Sequence, residues 1–182
     1  GGPKPDPNYG LDIQSFDMIT RKDPEARAGE GEVFLDWVFS TFTFPDGTEI
    51  ELRKPSVRIE NLNFGPLADG IMISLRNTQA LLGMGYLEAI PEKDILKNAE
   101  RQKALGLNGR PNYVWDDFKK KTVMGRFGWK ANQPSIKQQI AAAFLADIGI
   151  TSEIYPEQNC TPVQKECLEA LKGSKPELRP DL

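Results

Sequence analysis

The sequence predicts an α+β fold, mainly helical, with one antiparallel β-hairpin or three-stranded meander. Three observations carry that expectation. Residues 32–44 are rich in β-branched and aromatic side chains and run into a Pro45-Asp46-Gly47-Thr48 turn. From Ser74 onward, apolar spacing and Pro/Gly punctuation are of the helical kind. One stretch, Met124 to Ser152, joins a Gly-punctuated aromatic turn to a long helix and a glycine exit, and the rest of the chain is organised around it.

The chain reads as a single region divided into an extended or loop lead-in (1–31), the hairpin or meander (32–62), a helical part (74–172) and a loose tail (173–182). Leu11 to Thr20 fits a short helix through Ile13, Phe16 and Ile19. Ser40 to Phe44 alternates apolar and polar residues, and Glu49 to Arg53 alternates in reply with Ile50 and Leu52 on one side. Pro45 presets the turn and Gly47 accepts a positive φ, so a hairpin between 33 and 53 is expected. Val57 and Ile59 fit a third strand after Pro55.

Ser74 can cap a helix starting near Leu75, broken at Gly83-Met84-Gly85 because each glycine costs about 1 kcal/mol relative to alanine. Pro91 opens a further helix to about Ala104. Residues 112–123 show no clean period, and the Lys119-Lys120-Lys121 run reads as solvated surface. Pro134 suits a first helical position, and Ile136, Ile140, Phe144 and Ile148 recur every four residues and so share a face. Gly149 can take the left-handed conformation that ends the helix. Thr161-Pro162 signals a last helix, through Val163 to Leu171.

Composition narrows the function. The chain has 182 residues, 39% hydrophobic and 27% charged, with a net charge of -3, which points to neither nucleic acid nor an anionic membrane as partner. No apolar run approaches the roughly 20 residues of a membrane span. Histidine is absent. That excludes Ser-His and Cys-His catalytic pairs and histidine-ligated zinc or iron within the chain, and no metal site is expected. No CxxCH motif is present, so covalent attachment of c-type haem in the usual way is excluded too. The loop around Asn98 to Arg110 lacks the clustered carboxylates that calcium requires.

Cys160 and Cys167, seven residues apart across a loop-to-helix junction, fit a structural disulfide, two buried free thiols or a redox-active pair. Met84, flanked by glycines, is a core gap-filler or an unobstructed thioether. Trp129 is a core tryptophan or a functional indole beside two cations, Arg126 and Lys130.

Five segments, in order, resemble one family. These are Pro5-Asp6-Pro7-Asn8-Tyr9-Gly10; Pro45-Asp46-Gly47-Thr48 with Leu52-Arg53-Lys54-Pro55; Asn63-Phe64-Gly65-Pro66-Leu67; Leu81 to Pro91; and the GRFGWKA to DIGITS stretch. Together they are similar to the region between the two haem-attachment sites of the di-haem thiol oxidoreductases, also called di-haem putative peroxidases, relatives of bacterial cytochrome c peroxidases. The resemblance covers about residues 5–170.

It implies a haem-free central fragment of a larger, cytochrome c-like, periplasmic or otherwise exported protein. The c-type haem would be carried by flanking haem domains of the same polypeptide, with electron transfer in the intact enzyme and a small electron-transfer protein as a further partner. In that setting Trp129, Arg126, Lys130, Arg76 and Met84 are the haem-proximal candidates, Arg110 following the same logic. The cations would face haem propionates, the indole would carry electrons and Met84 would offer an axial thioether. An exported compartment favours the Cys160–Cys167 disulfide. No residue of this chain is expected to be catalytic, and the chain alone is expected to be inactive. Two other readings remain. One is a stand-alone binding or structural domain without redox activity, presenting Trp129, Trp115 and Tyr86; the other is a dithiol enzyme using the two cysteines.

Overall fold

The computed structural model describes residues 4–15, 29–169, 173–174 and 176–178. Its elements run β1 (Glu32–Thr43), β2 (Glu49–Glu60), α1 (Met84–Ala89), α2 (Glu92–Ala104), β3 (Tyr113–Asp116), β4 (Lys121–Met124), α3 (Ile136–Ile148) and α4 (Lys165–Glu169). They fall into two compact units, Gly1–Arg76 with Asn159–Leu171, and Asn77–Gln158 with Lys172–Leu182. No helix among the described residues is long and apolar enough to cross a membrane.

The fold is α+β but not mainly helical: 23% of the described residues are helical and 24% are strand. Three local outcomes account for the difference. Residues 74–83 form no helix, since Leu81 and Leu82 are 78% and 94% exposed and have no surface to bury against. Propensity without burial rarely sustains so short a helix. Residues 112–123, without a legible period, form the β3–β4 hairpin. Finally, Val57 and Ile59 belong to β2 itself, so among the described residues there is no three-stranded meander but a 12-residue ladder from Glu32↔Glu60 to Thr43↔Glu49. Pro55, opposite Trp37, is tolerated there because in a two-stranded sheet each strand has an outer edge where no N–H is needed.

The turn of this ladder follows its sequence. Phe44 N–H donates to the Thr48 carbonyl (2.8 Å), Thr48 N–H to Asp46 Oδ1 (2.9 Å), and Gly47 sits at φ +87°. Both faces of the ribbon remain open, and Arg53 lies over the Trp37 ring while Arg58 lies over Phe34.

The first unit is pinned at Pro5-Asp6-Pro7-Asn8-Tyr9-Gly10, where Asp6 and Gly10 exchange two backbone bonds of 2.8 Å. Asp6 accepts the N–H groups of Asn8 (2.8 Å), Tyr9 (3.1 Å) and Ala68 (2.8 Å). The Tyr9 hydroxyl donates to the Gly65 carbonyl (2.6 Å) and accepts from Phe64 N–H (2.9 Å). Here a tyrosine and an aspartate hold together segments almost sixty residues apart. Tyr9→Phe keeps the ring but orphans both backbone groups, and should destabilise this unit by about 1–2 kcal/mol in urea unfolding; an unchanged midpoint would mean that water replaces the hydroxyl without loss. Of the helix expected over 11–20, residues 11–15 are not helical and 16–20 lie outside the described residues.

In the second unit, α2 begins after Pro91 and ends at Ala104 as its punctuation predicts. α3 begins two residues later than expected: its first helical residue is Ile136, not Pro134, and Ser135 caps it, its hydroxyl accepting Gln138 N–H (3.2 Å), while Gly149 closes the helix at φ +67°. Its buried face differs from the isoleucine line. Gln138 and Ala141 are buried, whereas Ile140 and Ile148 are 43% and 56% exposed. Gln138 is satisfied inside because its Oε1 accepts Asp117 N–H (2.8 Å) and its Nε2 donates to the Trp115 carbonyl (3.2 Å). That amide locks α3 to the β3–β4 hairpin, and Met124 and Phe127 are, with Ala141, the buried apolar side chains of this unit among the described residues.

Candidate functional site: the aromatic turn and its surroundings

The Gly125–Lys130 turn leaves β4 and folds back on itself. Arg126 and Phe127 N–H both donate to the Gln133 carbonyl (2.8 and 3.0 Å), and Gln133 N–H returns to the Phe127 carbonyl (3.1 Å). Both glycines are needed. A Cβ on Gly125 would strike the Ala131 carbonyl, and Gly128 has φ +78° with the Asn132 side chain against it. Phe127 is buried and anchors the turn, so Trp129, 52% exposed, is not the core tryptophan. Its indole N–H donates to the Asn77 carbonyl (3.0 Å), which fixes the ring at the surface.

Arg126 lies on the other side of the turn. Its Nη1 donates to the carbonyls of Leu87 (3.2 Å) and Ile90 (2.6 Å), at the C-terminal end of α1. The Leu87 carbonyl also accepts the Ile90 N–H (3.4 Å), and a cation at this end complements the helix dipole. Arg126 is therefore first a clamp on α1. The same helix reaches α3 from its other side, because Glu88 Oε1 accepts Ile136 N–H (2.9 Å). Met84 is the half-buried first residue of α1. Lys130 is exposed, and its carbonyl accepts the Asn112 amide (3.2 Å). Thus Arg126, Trp129, Lys130 and Met84 all belong to the unit built around α1 and α3. Arg76, whose Nε donates to Ser74 Oγ (3.2 Å), belongs to the other unit.

Three positioning groups had no signal in the sequence. Asp116 is 1% exposed and holds the β3–β4 turn. Burial alone would raise its pKa, but the Lys119 N–H and ammonium together with the Phe118 N–H outweigh that and bring it below the usual carboxylate value. Gln138 and Glu88 are the other two, both acting on α3. The Tyr155 phenol is pushed up by burial and then by Asp117, whose Oδ2 it meets at 3.4 Å. Cys160 and Cys167 are joined, with Cα atoms 5.8 Å apart. Among the described residues no group of three or more His, Cys, Asp or Glu is placed to hold a metal ion.

A sequence model of the family described as "di-haem oxidoreductase, putative peroxidase" matches residues 1–169. The chain belongs to that family. No curated protein and no solved structure matches it. For a di-haem oxidoreductase the donor set is unusual: there is no histidine, and both cysteines are consumed in one disulfide. Thioether attachment to a CxxCH motif and histidine ligation of iron are both beyond these residues. Methionine sulfur and tyrosine oxygen remain as customary haem ligands. The residues present do not fit a c-type haem attached covalently and ligated by histidine within this chain.

Proposed function

We propose that this chain is the central, haem-free portion of an exported di-haem c-type oxidoreductase, shaping and bordering haems that other parts of the polypeptide hold. The observation that carries the proposal is membership of a di-haem family by a chain without histidine or available thiol. The disulfide supports an oxidising, periplasm-like compartment. Within this reading the half-exposed Trp129 indole, held at Asn77, is the group offered to a haem edge, with the Lys130 ammonium beside it for a propionate. Arg126 contributes mainly by fixing α1 to the turn. Flanking haem domains and a small electron-transfer protein are the partners; peroxidase-type electron transfer is the activity of the whole, and the chain alone carries none.

The test is to express the complete reading frame in a haem-maturing periplasm. Expected are c-type α and β bands, a Soret band altered by Trp129→Phe, and haem peptides that all map outside residues 1–182. A covalent haem on a peptide of this chain would overturn the proposal. A colourless product would favour a binding or structural domain instead. That second reading has its own support, since Trp115, Trp129 and Tyr86 are 52%, 52% and 85% exposed.

A further inference from the structure

Between α1, α2 and the loop leading into β3 lies a cleft of about 350 Å³. Its apolar side is formed by Leu87, Ile90, Ile95 and Ala99, and its polar side includes the guanidinium groups of Arg110 and Arg126. The remaining lining is amide, glycine, proline and alanine, with no Asp or Glu. The walls are close-packed: Gln102 lies against Gly109, and the Ala131 carbonyl lies against Gly125, so a Cβ at either glycine would collide.

The charge arrangement is uncompensated at Arg110. Arg126 spends Nη1 on two carbonyls, which are neutral, and makes no ion pair among the described residues, although it also lines a second concavity with Glu88 and Glu92. Among the described residues Arg110 has neither a hydrogen-bond partner nor an ion pair. Two cations thus border one concavity in which Leu87 and Ile90 remain 52% and 38% exposed. A ligand that suits both sides has an apolar body and one carboxylate. Guanidinium binds carboxylate through paired, charge-assisted bonds, while the aliphatic side chains cover a tail on the order of eight to ten heavy atoms.

We propose that this cleft is a binding site for a small apolar monocarboxylate, with Arg110 as the residue that selects the acid. The site needs no haem and does not depend on the function proposed above.

The test is calorimetric titration of the 182-residue chain with octanoate and, separately, with octanamide, its neutral isostere. Octanoate should bind with a Kd on the order of 0.3 mM, and octanamide at least tenfold more weakly. Arg110→Gln should weaken octanoate tenfold and leave octanamide unchanged. Ala99→Leu, which fills the cleft on a helix that tolerates leucine, should abolish binding of both without lowering the unfolding midpoint. Equal affinity for acid and amide, absence of binding, or octanoate binding that survives Ala99→Leu would each overturn the assignment. The last outcome would place the acid on another apolar surface, such as the open hairpin ribbon.

Discussion

Asp116→Ala should destabilise the second unit by about 3 kcal/mol, the largest single-residue effect expected in this chain. The side chain is 1% exposed, and Oδ1 accepts the N–H groups of Phe118 (3.0 Å) and Lys119 (2.8 Å). Alanine would leave both donors of these part-buried bonds without a partner, at about 1–3 kcal/mol for each group so orphaned. The Lys120 N–H also closes the turn on the Asp116 carbonyl (2.8 Å), but Lys120 sits at φ +51°, a conformation a lysine rarely adopts and one the carboxylate helps to hold. The Lys119 ammonium, 3.3 Å from Oδ2, contributes little, since its side chain is 60% exposed. Asp116→Asn keeps the acceptor oxygen and should lose only about 1 kcal/mol. Urea unfolding followed by tryptophan fluorescence measures both variants. A loss below about 1 kcal/mol for alanine would show that the β3–β4 turn is set by its strands rather than by this carboxylate.

The same carboxylate contributes to pH dependence. Burial acts to raise the pKa of Asp116, yet the hydrogen bonds and the Lys119 charge prevail and it is lowered. In Asp6 the N–H groups of Ala68, Asn8 and Tyr9 likewise prevail over burial. A folded-state pKa below the unfolded value means stability that is fully present above the ordinary carboxylate range and is lost as pH falls through the folded values. Acid should therefore weaken both units below about pH 4, and the Asp116→Ala variant should show a flatter acid limb than the parent.

These two aspartates also mark what a sequence conceals. The β1–β2 hairpin was legible because its turn chemistry and alternation are local, and α2 was legible because Pro91 and the residues after it carry their own start signal. The β3–β4 hairpin was not, since strands of four residues are too short to show a period and the register is held by an Asp116 side chain that looks like any other acid. Along α3, periodicity found apolar residues four apart, but the burial went to Gln138 and Ala141, because a glutamine with two backbone partners can lie inside. Residues 74–83 had helical propensity and no surface to cover. At the site, Arg126 and Trp129 were visible as residue types. Their tasks, a clamp on α1 and a hydrogen bond to Asn77, depend on segments 36 and 52 residues away. The cleft between Arg110 and Arg126 is assembled from four separate segments and has no linear signature.

Removing the Cys160–Cys167 disulfide should cost the first unit about 2.5 kcal/mol, the loop-closure entropy of a short loop. The segment it closes is more than a staple. Thr161 Oγ1 donates to the Asn8 carbonyl (2.8 Å), Thr161 N–H donates to Gln164 Oε1 (2.8 Å), and Gln164, 3% exposed, reaches the Glu30 carboxylate. α4 has only five residues, too few to persist without these anchors. With the bridge absent, the segment must be ordered from a freer chain, so the Asn8 and Glu30 contacts weaken together with the helix. The double variant Cys160→Ser/Cys167→Ser should unfold at lower urea and be indifferent to dithiothreitol, while the parent should fall to the same midpoint once reduced. Exchange of the Leu168 amide, which donates to the Gln164 carbonyl (3.1 Å), should accelerate in step. If the double variant retained the parent's midpoint, the fold of this segment would rest on Thr161 and Gln164 alone. Loss of thiol turnover with little loss of stability would instead assign the sulfurs a redox task.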